Sequence, residues 1–321
     1  MNNFQIFALK CLRKAYQYFM GSRDISKAEC IQDPHVASQI IFETLTSDAP
    51  CLIGRFGANE LLCLTTYLGV KENNRNIFSF ITGKSSEWWW NEQNLVNMNI
   101  VAGFYPLQMD KIEQFCQLML EDITHIDVLG SWLNDEQRFS DKMKSCTKVG
   151  FELLNPFFSN NPWTKALEHK KILVVHPFSE TIESQYLNRK LLFDNEILVE
   201  FDLETIKAVQ SYAGIQTDFK DWFEALEFMK NEINRKDFDI CLIGCGAYGL
   251  PLAAYVKSIG KKAIHLGGSL QLLFGIKGKR WLDPNYNSNY NYSLLVNEYW
   301  VSPNDSETPK YSNIVEGSTY W

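Results

Sequence analysis

The chain has 321 residues, a length that sets a prior of about two domains. Its 45% hydrophobic and 21% charged residues exclude collagen, coiled-coil arrays and wholesale disorder. A formal charge of −7 excludes a general nucleic-acid binder, because phosphate contacts demand concentrated Lys and Arg. Eight cysteines form no CxxC pair. Cys51, Cys63 and Cys241 sit in apolar runs and read as small buried hydrophobes, in keeping with a reducing cytoplasm.

Residues 1–30 read as an N-terminal amphipathic helix. Phe4, Phe7, Ala8, Cys11, Leu12, Ala15, Tyr16 and Phe19 fall on one stripe. Lys10, Arg13 and Lys14 follow the apolar residues instead of preceding them, which is not the order of a signal peptide. This stripe either packs on the domain or touches anionic lipid through residues 1–20. No run of 18 apolar residues exists, so no spanning helix is expected. The protein is read as cytoplasmic, with peripheral contact at the inner membrane face as the alternative for this helix.

Strands and helices then alternate. Strands are expected over 49–55, 99–102, 126–129, 171–175, 197–201, 239–243 and 263–266. Helices are expected over 58–67, 109–122, 179–189 with Ser179 as N-cap, 218–234 and 248–258. The rhythm predicts an α/β, Rossmann-like protein with a largely parallel sheet flanked by helices. The α/β domain is assigned to 31–285, with a sub-boundary near 140–162, and a C-terminal tail to 286–321 whose last residues, Tyr320 and Trp321, point to a docked end.

Ligands of such sheets bind beyond the carboxyl ends of strands, so four strand-to-helix turns carry the candidate chemistry. In Gly54-Arg55-Phe56-Gly57-Ala58-Asn59-Glu60, Arg55 is suited to hold a phosphate or carboxylate bidentately. Glu60 is a ligand or base, or else complements its own helix dipole. In His176-Pro177-Phe178-Ser179-Glu180, His176 and Glu180 are a polar pair at a strand end, or a satisfied polar side chain and a capping acid; Glu183 and Asp127 are further acids. Gly244-Cys245-Gly246-Ala247-Tyr248-Gly249 has the G-x-G-x-x-G form. NAD is not expected, because the next strand ends at Gly267-Gly268 without an acid. Phosphate contact and close helix–strand packing both remain open for this turn. Finally, Gly268 precedes Lys277, Lys279 and Arg280, the densest basic cluster of the chain. It suits a diphosphate leaving group or a solvated loop. Trp88-Trp89-Trp90 reads as packing or as a sugar-stacking surface. No G-x-S-x-G elbow and no Walker A sequence occurs.

The segment Ile53-Gly54-Arg55-Phe56-Gly57-Ala58-Asn59-Glu60-Leu61 resembles the R-F-G-D-G-E segment of GT-D-type glycosyltransferases. The glycine-rich turn Leu242–Ala253 and the strand Ile264–Gly268 look like that family's later elements. The likeness extends over about residues 35–280, to GT-D-like proteins of bacterial capsule and lipopolysaccharide clusters. It implies sugar transfer from a nucleotide-diphosphate donor to a glycan or lipid-linked acceptor. Because these turns converge on one sheet edge, Arg55, Gly57, Asn59, Gly244, Gly246, Ala247, Tyr248, Gly268, Lys277, Lys279 and Arg280 would meet the donor. Glu60, His176 and Glu180 would be catalytic. Carried over from the family, Glu60 matches the Glu of its D-x-E metal motif and Ala58 stands where the Asp would be, so either a Mn2+ or Mg2+ ion rests on Glu60 with another acid, or the basic cluster replaces the metal's charge, or the activity is changed or lost.

Overall fold

The computed structural model describes residues 2–21, 29–72, 75–85, 87–211, 215, 217–287, 289–308 and 320–321. Seven strands form one sheet: β1 (Cys51–Gly54), β2 (Val128–Ser131), β3 (Thr147–Gly150), β4 (Lys171–His176), β5 (Asp202–Lys207), β6 (Ile240–Ile243) and β7 (Lys262–His265). They run in the order β3-β2-β1-β7-β6-β4-β5, and every pair is parallel. With helices on both faces, this is the expected α/β, Rossmann-like class. The segment around 140–162 holds β3, and strands on either side of it share the one sheet.

Side chains of the inner strands alternate between two cores, as the period of two requires. Leu52, Leu129, Leu173, Val175, Cys241 and Ile243 enter one core. Cys51, Ile53, Val128, Val174, Leu242 and Ile264 enter the other. Connections that step toward the β3 edge, through helices Ala58–Lys71, Met109–Asp122, Trp222–Asn234 and Gly249–Ser258, pack in the first core. Those that step toward the β5 edge, through residues 151–167 and helix Ser179–Tyr186, pack in the second. A single hand of crossover requires this division. The chain leaves β4 toward β5 and leaves β6 toward β7, in opposite directions. A crevice therefore opens between the carboxyl ends of these neighbours.

Four points differ from expectation. Residues 99–102 are not a strand: they end helix Glu92–Ile100, which Asn91 caps, and continue into a turn. Residues 197–201 are a buried irregular segment, and the edge strand β5 starts at Asp202. Strand β3 was not foreseen, because Thr147 and Lys148 carry no apolar signal. The helix expected to run to Arg189 ends at Tyr186, and a separate turn, Arg189–Leu192, follows.

The N-terminal helix, Asn3–Met20, packs on helix Ile77–Ile81 through a satellite cluster of Leu9, Phe80 and Trp89. Lys10 pairs with Glu87 at 3.2 Å, and the Arg13 guanidinium lies 4.8 Å from the Phe80 ring centroid. Two of its three cations thus turn toward the domain, and Phe4, Phe7, Tyr18 and Phe19 turn outward. Trp88 and Trp89 meet edge to face at 5.1 Å, and Trp90 tilts against Tyr67. The three tryptophans are packing residues here. Among the described residues no helix is long and apolar enough to cross a membrane.

Candidate active site

A trough runs along the carboxyl edge of the sheet and divides into three linked cavities. The first, about 90 Å³, lies over β4, β6 and β7, with His176, Gly244, Tyr248, Arg55, Gly268 and Tyr320 on its walls. A second, about 30 Å³, continues from Arg55, Gly268 and Tyr320 to Glu152 and Arg280. A third, about 400 Å³, opens beyond β2 and β3 and shares Glu152 and Phe151 with the second.

Arg55 joins the first two cavities. It leaves the end of β1 and its guanidinium lies across Gly267, where a Cβ would come within 2.0 Å of Nη2. Gly267 also has φ +64°, so glycine is required there on both counts. Arg55 Nη1 donates to the Phe56 carbonyl at 3.2 Å, and the guanidinium sits 5.6 Å from the Phe151 ring centroid. Nε is buried without a hydrogen-bond partner. Among the described residues no carboxylate pairs with Arg55 within salt-bridge distance. A guanidinium with spare donors at a strand end is a site for an anion.

The glycine-rich turn owes two of its three glycines to histidine packing. A Cβ on Gly244 would lie 2.6 Å from the Gly267 carbonyl oxygen and 2.7 Å from the His176 ring, and one on Gly249 would fall 2.0 Å from the His265 ring. Gly246 alone has a positive φ, +58°. The Gly244 N–H donates to Val175 O at 3.0 Å and the Ala247 N–H to Ala102 O at 3.3 Å. Close packing, the alternative left open for this fingerprint, accounts for its spacing. Tyr248 stacks on Trp222 with centroids 4.8 Å apart, and its hydroxyl shares a hydrogen bond with Ser211 at 3.0 Å.

His176 lines the first cavity but is buried, and burial pushes its pKa down to about 3. Its Nδ1 accepts the Phe178 N–H at 3.0 Å, which leaves the ring proton on Nε2. A ring this reluctant to charge is a hydrogen-bond donor to a ligand and a poor base near neutral pH. Glu180 lies outside the trough: its carboxylate takes Lys207 at 2.9 Å and the Ser306 hydroxyl at 3.2 Å. Glu183 accepts from the Thr205 hydroxyl. Asp127 sits at the amino end of β2, bound to Lys257 at 2.7 Å and to the Leu52 N–H at 2.8 Å.

Ser179 does not cap its helix. The N–H groups of Glu180 and Thr181 donate instead to the Glu307 carboxylate, at 2.8 and 3.2 Å, and the Thr181 hydroxyl donates to the same group. Glu307 is 1% exposed. The protein's own tail therefore supplies the anion that this helix N-terminus attracts.

Glu60 turns back over the start of its own helix, where a Gly57 Cβ would come within 1.9 Å of Oε2; it does not line the three cavities. Asn59 is held through its carbonyl by the Asn94 amide at 3.0 Å. Ala58 offers no ligand atom. The residues present therefore do not fit a divalent ion held by a D-x-E pair, and among the described residues no three His, Cys, Asp or Glu side chains cluster to hold one. Of the basic cluster, Arg280 faces the second cavity, its guanidinium 4.6 Å from the Tyr320 ring centroid. Lys277 and Lys279 are not among the walls of these cavities.

The sequence reading missed Glu152. It follows β3 and borders the second and third cavities. Its carboxylate accepts the Asn287 amide at 2.7 Å and the Tyr292 hydroxyl. Burial, opposed by these hydrogen bonds and by Arg55, leaves its pKa above the ordinary carboxylate value. Such a group at a cleft is a candidate acid–base residue. Recognising β3 would have pointed to it, as the first acid after a strand end.

Tyr320 stops the first two cavities, and Trp321 the first. The Tyr320 ring lies on Gly268, where a Cβ would come within 2.2 Å of it, and its carbonyl accepts the Gln271 amide at 3.1 Å. Trp321 meets Phe178 at 6.3 Å between centroids. The space left, about 90 Å³, is below the roughly 300–1,000 Å³ of small-molecule sites. No family model matches the chain, and neither a curated protein nor a solved structure matches it.

Proposed function

We propose that this protein is a GT-D-type glycosyltransferase that moves a sugar from a nucleotide-diphosphate donor to a glycan or lipid-linked acceptor in surface-polysaccharide assembly. The observation that carries the reading is Arg55, a guanidinium without a carboxylate partner among the described residues, at the carboxyl edge of the sheet and shared by two cavities. The donor diphosphate lies along Arg55 and Arg280, whose charge offsets the negative charge that grows on the departing diphosphate. Glu152 takes the proton of the attacking hydroxyl. No step runs through a metal. Tyr320 and Trp321 move aside for the donor.

The test is a thermal-shift panel of nucleotide-diphosphate sugars. At least one donor raises the melting temperature of the wild-type chain, and Arg55→Ala weakens its binding tenfold or more, with Arg55→Lys recovering only part, because a lysine lacks the bidentate fork. No shift with any donor overturns both transfer and donor binding. A non-catalytic, donor-binding protein is the second reading, favoured by Ala58 and by the turned-back Glu60. A donor shift without turnover on lipid-linked acceptors would select it.

A lipid-linked acceptor suits peripheral membrane contact through residues 1–20, a contact supported by the exposure of Phe4 (79%), Phe7 (66%) and Phe19 (80%) beside exposed Phe78. The full chain is expected to sediment with phosphatidylglycerol vesicles, and the triple replacement of Phe4, Phe7 and Phe19 by Ser to stay in solution. Equal partitioning of the two would remove the membrane contact.

A further inference from the structure

The third cavity is not absorbed by the donor site. Its volume, about 400 Å³, falls within the range of small-molecule sites. Among the described residues, its walls carry four aromatic side chains, Trp132, Phe151, Tyr286 and Tyr290, together with the amides Asn287 and Asn289, and no lysine or arginine. The lining therefore disfavours a phosphate or another anion and favours a neutral ligand.

Trp132 is 41% exposed although it is large and apolar. Its indole N–H is fixed to the Phe56 carbonyl at 3.0 Å, and one ring face stacks on Phe151, with centroids 5.1 Å apart and planes 29° apart. The tryptophan is thus held rigidly from behind with apolar surface left to the cavity. A flat base needs a slot between two rings, but here Trp132 and Phe151 fill that slot with each other. A sugar ring needs only one apolar face for its C–H groups, plus planar polar groups for its hydroxyls. The Asn289 side chain carries two donors and an acceptor, Asn287 keeps one amide hydrogen after giving the other to Glu152 and its oxygen to the Asn289 and Tyr290 N–H groups, and Glu152 completes the polar side with a carboxylate set by Asn287 and Tyr292.

We infer that this cavity is a binding site for a neutral sugar ring, seated on Trp132 and hydrogen-bonded by Asn287, Asn289 and Glu152. Because Glu152 also borders the Arg55–Arg280 cavity, the bound sugar is the acceptor. That role rests on the proposed transfer reading, whereas the binding of a sugar does not. In the transfer, an acceptor hydroxyl gives its proton to the Glu152 carboxylate and its oxygen bonds to the anomeric carbon of the donor. The bond from that carbon to the diphosphate oxygen breaks with its electron pair on the leaving diphosphate.

The experiment is saturation-transfer NMR on the full chain with methyl glycosides of glucose, galactose, N-acetylglucosamine and rhamnose, and with uridine as the base-bearing probe. At least one glycoside receives saturation from the wild type. Trp132→Ala reduces that signal at least fivefold, and Trp132→Phe restores most of it. Asn289→Ala, at an exposed position, also weakens it and guards against misfolding of the Trp132 variant. No saturated glycoside, a signal indifferent to both Trp132→Ala and Asn289→Ala, or saturation of uridine alone would overturn the sugar site. A Trp132-dependent glycoside signal in a protein that shifts with no nucleotide sugar keeps the site and removes its acceptor role.

Discussion

Glu307→Ala is expected to lower the melting temperature by about 6 °C, a loss of about 3 kcal/mol at roughly 2 °C per kcal/mol. The carboxylate is buried and receives three donors: the N–H groups of Glu180 and Thr181 and the Thr181 hydroxyl. Alanine leaves them without an acceptor in a place that water does not reach, and each unsatisfied buried donor costs about 1–3 kcal/mol. It also removes a negative charge from a helix N-terminus. Glu307→Gln keeps an acceptor oxygen and loses the charge, so its melting temperature should fall between the two. Glu180→Gln, whose exposed carboxylate pairs with Lys207, should melt within a degree of the wild type. A Glu307→Ala variant that melts with the wild type would show that the tail does not cap this helix.

The second large effect is a pair of opposed pH limbs. His176 and His265 are both buried, and burial, helped at His265 by the Arg55 charge, holds each pKa near 3. A histidine with a pKa lowered on folding contributes stability that is full above its ordinary value of about 6.5. That stability is lost as the pH falls toward 3, because the unfolded chain takes a proton that the folded chain refuses. Each histidine is worth up to about 1.4 kcal/mol per pH unit in that window. Asp122 works the other way. Burial pushes its carboxyl up to about 7, so its contribution is complete below about 3.8 and is lost as the pH rises through 7; Glu152 has the same sign. Between pH 7 and 5 the limbs partly cancel in the wild type. Asp122→Asn removes one opposing limb. Its urea-unfolding free energy should fall by about 2 kcal/mol more than that of the wild type over this interval, and the variant should gain stability at pH 8.5. Parallel curves for the two proteins would refute the assignment of a protonated Asp122.

The inner strands were legible and the edges were not, for one reason. Strands β1, β4, β6 and β7 are covered on both faces and flanked by strands on both sides, so their sequences read as continuous apolar runs such as Ile172-Leu173-Val174-Val175. At the edges, β5 leaves Asp202, Glu204 and Lys207 to solvent and β3 begins with Thr147 and Lys148. The apolar run 197–201 reads as a strand because burial and strand formation leave the same mark on a sequence. The site followed suit. Arg55, His176, the 244–248 turn and Gly268 come from recognisable strand ends and, with Arg280 from the short helix Lys279–Leu282, line one trough. Glu60 and Glu180 also follow strand ends, yet Glu60 folds over its own helix start and Glu180 turns to Lys207. Residue type and spacing carry no information about that choice of rotamer. Glu152 was hidden behind an edge strand, and Glu307 behind more than a hundred residues of intervening chain.

The seated Tyr320 ring has a consequence for how affinity will be measured. Any ligand that reaches Gly268 competes with a side chain held at a fixed, intramolecular concentration, and adding protein does not dilute it. The dissociation constant observed is the intrinsic one divided by the fraction of molecules whose ring is lifted. If one molecule in ten is open, a ligand binds about tenfold more weakly than its contacts warrant. Replacing Tyr320 and Trp321 by alanine would then reveal affinity already built into Arg55 and Arg280, without adding a single contact to the ligand.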